Sequence, residues 1–144
     1  MTERPDLLAL LDAVRMHLET NILPSIRAEQ RIYFQTLVAL NLLKIGQREI
    51  AQGTNLLREE WDAMNQLRGE AADMPEREDF LVSELNARRA TLGLAIRGGK
   101  YDSPELATRV ADYLELTVIA QLALNNPGLS ARFANEAAED TYPL

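Results

Sequence analysis

The stretch from Arg31 to Ile50 limits the possible folds of this chain more than any other. Its middle, from Leu37 to Ile45, carries apolar residues nearly all the way round a helical wheel. A helix with one apolar face can lie at a protein surface, whereas a helix that is apolar all round is typically covered on several sides. We therefore predict that this stretch is the central helix of the fold.

Apolar residues recur at helical spacing along most of the sequence, and the alternating pattern typical of β-strands is not found. Prolines, glycines and capping residues divide this pattern, at Pro24, Gly53, Thr54 or Asn55, Gly98-Gly99, and Asp102 or Ser103 before Pro104. The predicted fold is all-α: a single-domain helical bundle over residues 1–144 with a short C-terminal helix and five principal helices, at about residues 5–20, 26–52, 55–69, 77–97 and 104–125. A mobile acidic loop is expected near residues 69–79, and a frayed tail at the end.

The charges are unevenly distributed along the chain. Residues 1–52 hold six basic and six acidic residues, so residues 53–144 carry the whole net charge of −7. This balance argues against nucleic acid and anionic membrane as partners, because phosphate binding needs a concentrated positive surface. The absence of cysteine, of a secretory leader and of any apolar stretch of about 20 residues leads us to expect a cytoplasmic protein.

The residue types needed for catalysis are scarce. His17 is the single histidine, so paired Glu-x-x-His motifs for a metal cannot be built, and a surface or capping role is expected for it. The acidic run Glu59-Glu60-x-Asp62 is interpreted as a solvated helix face. We expect neither a cofactor nor a metal site, and we predict that the protein is not an enzyme.

Two polar features are candidate binding sites. Gln30, Asn41, Lys44 and Arg48 fall on one side of a helix and form a polar seam, which is either the solvent-facing edge of that helix or a groove for an anion or a partner's carboxylate. Arg88 interrupts the apolar stripe of the fourth predicted helix. Because an unpaired buried charge is costly, we predict that Arg88 has a carboxylate or carbonyl partner, for example Glu84 four residues earlier.

Several segments in one order resemble a family of small bacterial helical proteins classified only as a domain of unknown function: RPDLLALLDAVRMHLETNILP, VALNLLKIGQRE, LNARRATLGLAIRGGKYD and TVIAQLALNNP. The resemblance runs from Arg4 to about Pro127. It implies a gene neighbourhood with aminoglycoside-phosphotransferase-like and acyl-CoA dehydrogenase genes, and hence an accessory role beside such an enzyme. It supplies no catalytic residues.

Three functions follow from these observations, in descending order of support. The first is a non-catalytic interaction module, such as an accessory subunit of a phosphotransferase-like or acyl-metabolite enzyme, and it requires an exposed apolar patch. The second is a small-ligand-binding bundle with a closed cavity lined by Phe34, Leu37 and Leu122. The third is a cofactor-free enzyme. A homo-oligomer is compatible with all three, because two strongly apolar helices leave surface to cover.

Overall fold

A computed structural model describes residues 6–139, and every regular element among them is helical, which confirms the all-α prediction. The five α-helices are α1 (Leu7–His17), α2 (Gln30–Arg68), α3 (Glu78–Arg97), α4 (Pro104–Asn125) and α5 (Pro127–Glu139). A π-helical turn (Leu18–Ile22) and a 3-10 turn (Leu23–Ile26) separate α1 from α2. No helix within this part of the chain has the length and apolar character needed to cross a membrane.

The first helix is shorter than predicted. Asp6 caps α1, since its carboxylate accepts a hydrogen bond from the backbone N–H of Ala9 at 2.7 Å. The α-helical pitch ends at His17, before the predicted limit near residue 20, and changes to π and then to 3-10 geometry around Pro24. Proline fits the first turn of the 3-10 segment because no N–H is needed there. The predicted start at residue 5 and the end of the predicted frayed tail lie outside the described residues.

The prediction that Gly53 ends a helix is wrong. α2 continues through Gly53 to Arg68 as one helix of 39 residues, so the second and third predicted helices are a single element. Gly53 does not adopt the left-handed conformation of a helix stop, which the structure places at Gly69 and Gly99 instead. A glycine in a helix interior costs only about 1 kcal/mol relative to alanine, too little to interrupt a long helix. Thr54, predicted as a possible cap, donates a hydrogen bond to the carboxylate of Glu78 at 2.9 Å.

The chain divides into two compact units, residues 1–53 and 54–144, with the division inside α2. The first unit contains α1, the π and 3-10 turns and the first part of α2. The second unit contains the rest of α2 together with α3, α4 and α5. The single domain predicted from the sequence stays a prediction.

The first unit has almost no core of its own. Leu40 is the one buried residue among its described residues, with 3% of its surface exposed. Its large apolar side chains that are at least a third exposed are Leu7, Leu10, Val14, Met16, Ile22, Ile32, Phe34, Leu37, Val38, Leu42 and Ile50. The prediction that Leu37–Ile45 is the covered central helix is therefore wrong for the single chain.

The second unit has a dense core in two clusters. The larger cluster joins α2, α3, α4 and the turn before α4, through Met64, Leu67, Leu92, Tyr101, Val110 and Tyr113. The smaller cluster joins α2 and α3, through Trp61, Leu81 and Leu85. These side chains follow helical spacing along each element, so each helix buries one face against its neighbours.

Polar contacts fix the ends of the helices in the second unit. Ser103 caps α4 as predicted, accepting a hydrogen bond from the N–H of Leu106, and the left-handed Gly99 follows the end of α3. Arg109 donates to the backbone carbonyl of Gln66 at 2.9 Å, in the last turn of α2, where a cation is favourable.

The acidic loop between α2 and α3 is exposed along most of its length and anchored at its centre. The carbonyl oxygen of Ala72 accepts hydrogen bonds from the Trp61 indole and the Asn65 amide, both at 3.1 Å. Met74 packs against the smaller core cluster. The mobility predicted for this loop stays a prediction.

Candidate interaction site

One residue of the polar seam predicted on α2, Lys44, belongs to an ion-pair network within the first unit. Lys44 Nζ lies 2.9 Å from the carboxylate of Glu19, which also accepts a hydrogen bond from Arg15 at 2.9 Å. The hydrogen bond from Lys44, together with the charges of Lys44 and Arg15, outweighs burial and lowers the pKa of Glu19 below its usual value. Lys44 therefore ties the π turn to α2, and its charge is already balanced within the unit.

Asn41 and Arg48, two other members of the predicted seam, differ in their exposure. Asn41 is exposed, whereas Arg48 is half-buried. Both belong to the first unit, whereas Arg88 belongs to the second. The four predicted residues therefore do not belong to one unit.

Arg88 has the carboxylate partner that the sequence predicts, but the partner is Glu70 of the acidic loop and not Glu84. Its Nη2 atom donates to Asn65 at 2.7 Å and to Glu70 at 3.2 Å. Its guanidinium lies over the ring of Trp61, 4.4 Å from the ring centre. The Nη1 atom is buried without a hydrogen-bond partner in the described chain. Arg88 thus connects α3, α2 and the loop, and its predicted role in binding stays a prediction.

A buried polar network, which sequence reasoning missed, lies at the centre of the second unit. Glu60 is only 8% exposed, so the interpretation of its acidic run as a solvated face is wrong for this residue. Its carboxylate accepts a hydrogen bond from the Tyr113 hydroxyl at 2.7 Å and two from the Arg89 guanidinium, one of them at 2.7 Å. The three side chains come from α2, α3 and α4, and we call them the Glu60 network.

Opposing effects set the protonation of this network. Burial by itself would raise the pKa of Glu60, but the hydrogen bonds from Arg89 and Tyr113 and the positive charge of Arg89 outweigh it and leave the pKa lowered. Burial and the bond to Glu60 raise the pKa of Tyr113 far above its usual value. Near neutral pH the network therefore holds a carboxylate, a guanidinium and a neutral phenol.

A cleft of about 450 Å³ borders the Glu60 network. The rest of its lining comes from α3 (Leu92, Gly93, Ile96) and α4 (Leu114, Thr117, Gln121). The charged groups at its wall are already paired with one another, so they offer little free capacity to a ligand.

A second cleft, of about 500 Å³, lies in the second unit between α2 and α4. Its apolar lining consists of Leu56, Leu116, Ile119, Ala120 and Ala123. Three exposed carboxylates complete the lining, those of Glu59, Asp112 and Glu115. Within residues 6–139 none of the three forms an ion pair with a basic side chain. We call this cleft the acid-rimmed groove.

Metal ligands are not gathered in this part of the chain. His17 is exposed, as predicted, and its ring nitrogen Nδ1 lies 3.1 Å from the amide of Asn21. No group of three or more His, Cys, Asp or Glu side chains among the described residues has the arrangement of a metal site.

Comparison with curated proteins and comparison with solved structures each gave no match. A family model does match, over residues 26–129, and it is described as a domain of unknown function, DUF6285. The match spans α2, α3 and α4, and with them the Glu60 network and the acid-rimmed groove. The predicted likeness to an uncharacterised domain family is thereby confirmed, and the chain belongs to the DUF6285 family.

Proposed function

We propose that this protein is a non-catalytic interaction module whose acid-rimmed groove binds a basic amphipathic helix of a protein partner. The observation that carries the proposal is an apolar groove rimmed by three carboxylates without basic partners in the described chain. Apolar grooves that accept the apolar face of a helix are a common mode of peptide recognition.

The floor of the groove suits a helix. Leu56, Leu116 and Ile119 supply apolar contact, and Leu116 and Ile119 are exposed. Ala120 and Ala123 are short side chains, so the backbone of a bound helix can approach α4 closely there. Exposed leucine and isoleucine beside alanine favour a partner that inserts large apolar side chains.

The charge of the groove selects among such partners. Glu59, Asp112 and Glu115 would attract lysine or arginine residues that flank the apolar stripe of the bound helix. The same region of the chain, residues 53–144, carries the net charge of −7, which raises the association rate of a positively charged partner. An acidic partner helix would be repelled.

The identity of the partner rests on the resemblance stated above. Proteins similar to this one are expected beside phosphotransferase-like and acyl-CoA dehydrogenase genes, so an enzyme of one of these classes is the proposed partner. An accessory subunit needs a docking groove and no catalytic groups, and the groove meets that need.

Binding of a small ligand is the second candidate, and the cleft beside the Glu60 network is the observation that favours it. The closed cavity that the sequence predicts for this function is less well supported, since Phe34 and Leu37 are 66% and 41% exposed. Ligand binding at the cleft would raise the melting temperature in a screen of small metabolites and would leave helix binding at the groove unchanged.

Two synthetic peptides of about 16 residues test the proposal, since a helix of that length spans about 24 Å. Both carry leucines at helical i, i+3, i+4, i+7 spacing, with lysines elsewhere in one and glutamates in the other. Fluorescence anisotropy is expected to detect binding of the lysine peptide alone. Reversing the charge of two rim residues, Glu59→Lys with Glu115→Lys, is expected to weaken binding about tenfold or more at low salt.

The matched control is Glu76→Lys with Glu84→Lys, which makes the same charge change at two exposed positions outside the groove. It is expected to change the dissociation constant less than twofold. If the groove and control variants weaken peptide binding equally, general charge attraction explains the effect and the proposed site is contradicted. Equal binding of the two peptides would also contradict it.

A further inference from the structure

The acid-rimmed groove continues beyond its three carboxylates. A smaller cleft of about 280 Å³ adjoins it within the second unit, and the linings of the two clefts share Asp112 and Leu116. The rest of the smaller cleft is lined by α2 and α4, through Ala63, Gln66, Leu67, Arg109 and Tyr113. The two clefts therefore follow one another between the same pair of helices, and together we call them the extended groove.

The extended groove follows one face of each helix. Its α4 residues recur at alternating spacings of three and four, at Arg109, Asp112, Leu116, Ile119 and Ala123. The same spacings hold along α2, at Leu56, Glu59, Ala63 and Gln66. At about 1.5 Å per residue, the α4 side of the groove is about 21 Å long, which is the length of a helix of about four turns.

The two ends of the extended groove differ in charge. The carboxylates of Glu59, Asp112 and Glu115 line the acid-rimmed part. Among the described residues that line the whole groove, Arg109 is the one basic residue, and it belongs to the smaller cleft alone. A bound helix therefore meets a cation near one end and carboxylates over the rest of its length.

Arg109 is held in place but keeps free capacity for an anion. Its Nη2 atom donates to the carbonyl of Gln66 at 2.9 Å, and the side chain is exposed. Within residues 6–139 it forms no ion pair, although Glu105 and Asp112 stand four residues before and three residues after it on α4. A guanidinium has five N–H donors, so most of those of Arg109 remain available to a ligand in the groove.

The chemistry of a helix indicates which group Arg109 would bind. Carboxylates are the anionic side chains of an unmodified helix, and their geometry matches the fork of a guanidinium. Acidic residues stabilise a helix in its first turn, and basic residues stabilise it in its last turn. The order of charges along the groove thus fits a helix whose acidic first turn lies at Arg109 and whose basic later turns lie at Glu59 and Glu115.

We infer that the partner helix carries an acidic residue in its first turn, which pairs with Arg109, and basic residues in its later turns, which pair with the three rim carboxylates. The bound helix then runs in the same direction as α4. This inference rests on the proposed function and adds the charge order and the direction of the partner helix. Arg109 is the residue that distinguishes such a helix from one that is basic along its whole length.

Two peptides of about 16 residues and identical composition test the inference. Both keep the leucine spacing of the peptides described above, with glutamates in one terminal turn and lysines elsewhere, and both are acetylated and amidated to remove their terminal charges. The glutamates stand in the first turn of one peptide and in the last turn of the other. Because the net charges are equal, general attraction to the acidic chain does not distinguish the two. Fluorescence anisotropy at about 0.15 M salt is expected to give an about fivefold lower dissociation constant for the first-turn peptide.

Arg109→Gln identifies the source of this preference. A difference in helix content between the free peptides contributes the same factor with every protein variant, so a change in the ratio of the two dissociation constants reports Arg109 itself. The ratio is expected to fall about threefold or more in Arg109→Gln and to return in Arg109→Lys. Arg97→Gln, the matched control, removes the same charge at an exposed position of α3 outside the groove and is expected to leave the ratio unchanged. Circular dichroism checks that each variant keeps its helices.

The failures of the inference and of the proposed function are distinguishable. If the lysine peptide binds and Glu59→Lys with Glu115→Lys weakens it, the groove is the site. Equal binding of the two mixed peptides, or a ratio that Arg109→Gln leaves unchanged, would then overturn the inference alone. If none of the peptides binds, the inference and the proposed function are both overturned.

Discussion

The two units of this chain differ sharply in how they bury apolar side chains. Ten apolar residues are buried among the described residues of the second unit, and Leu40 alone is buried in the first. Yet the first unit contains the most uniformly apolar stretch of the sequence, Leu37–Ile45. The comparison shows that an apolar sequence pattern indicates which helix surface would be stabilised by burial. It does not show whether the same chain supplies helices to cover that surface, as α3 and α4 do in the second unit. Among the described residues of the first unit, such neighbours cover only Leu40 completely.

The largest expected effect contrasts identical substitutions in the two units. Leu85→Ala is expected to lower the free energy of unfolding by about 2–5 kcal/mol, because Leu85 is fully buried beside Trp61 and the substitution leaves a cavity. Leu10→Ala, at a half-exposed position of α1, is expected to cost less than about 0.5 kcal/mol. Urea unfolding of both variants measures the difference. Similar losses would mean that the first unit has a core as dense as that of the second.

A smaller effect is expected from the polar centre of the second unit. Glu60→Gln keeps the size of the side chain but removes the charge that Arg89 and Tyr113 contact, and is expected to cost about 1–3 kcal/mol at pH 7. The pKa of Glu60 is lower in the folded state than in the unfolded state, where it is about 4.3. The charged carboxylate therefore stabilises the fold fully above the unfolded-state pKa, and this stabilisation is lost as the pH falls through the folded-state pKa.

The check is urea unfolding of the unmodified chain and Glu60→Gln at pH 7 and pH 3. The difference between the two is expected to shrink at the lower pH. Tyr113→Phe, which retains the Glu60 charge and the Arg89 pair, serves as the control and is expected to shift less with pH. A difference that stays constant from pH 7 to pH 3 would assign the loss to packing and not to the charge.

The smallest effect concerns the position where the units divide. Gly53→Ala is expected to raise stability by about 0.5–1 kcal/mol, because Gly53 is helical and an added Cβ meets only the flexible side chain of Glu49, at 3.4 Å. Gly99→Ala is expected to lower stability by about 1–2 kcal/mol, because Gly99 has φ near 84°. Thermal unfolding checks the signs. A loss of stability in Gly53→Ala would instead support the prediction that a helix ends at Gly53.

Local signals predicted the local features of this fold. The cap at Ser103, the helix stop at Gly99 and the need of Arg88 for a partner each depend on a few adjacent residues or on one burial pattern. The burial of Glu60 cannot be predicted from helical spacing, because its partners lie 29 and 53 residues away in the sequence. The helix continues through Gly53 because one glycine weakens a helix by less than its packing on either side stabilises it.

The acid-rimmed groove was beyond sequence prediction for a related reason. Glu59 and Glu115 stand on different helices, and each appears on its own as an ordinary solvated residue. Only the packing of α2 against α4 within the second unit places their carboxylates along one cleft. The binding role predicted for the seam of Asn41, Lys44 and Arg48 stays a prediction, and Lys44 already has Glu19 as an ion-pair partner.

The position of Trp61 determines which part of the chain tryptophan fluorescence reports. It is the single tryptophan of the chain, it is buried in the second unit, and the Arg88 guanidinium covers its ring. Tryptophan fluorescence therefore reports the unfolding of the second unit and not of the first. Far-ultraviolet circular dichroism reports the loss of helix in both units. Unfolding curves from the two signals coincide if the units melt together and separate if they do not. The chain thus contains an internal reporter of whether its poorly buried half melts first.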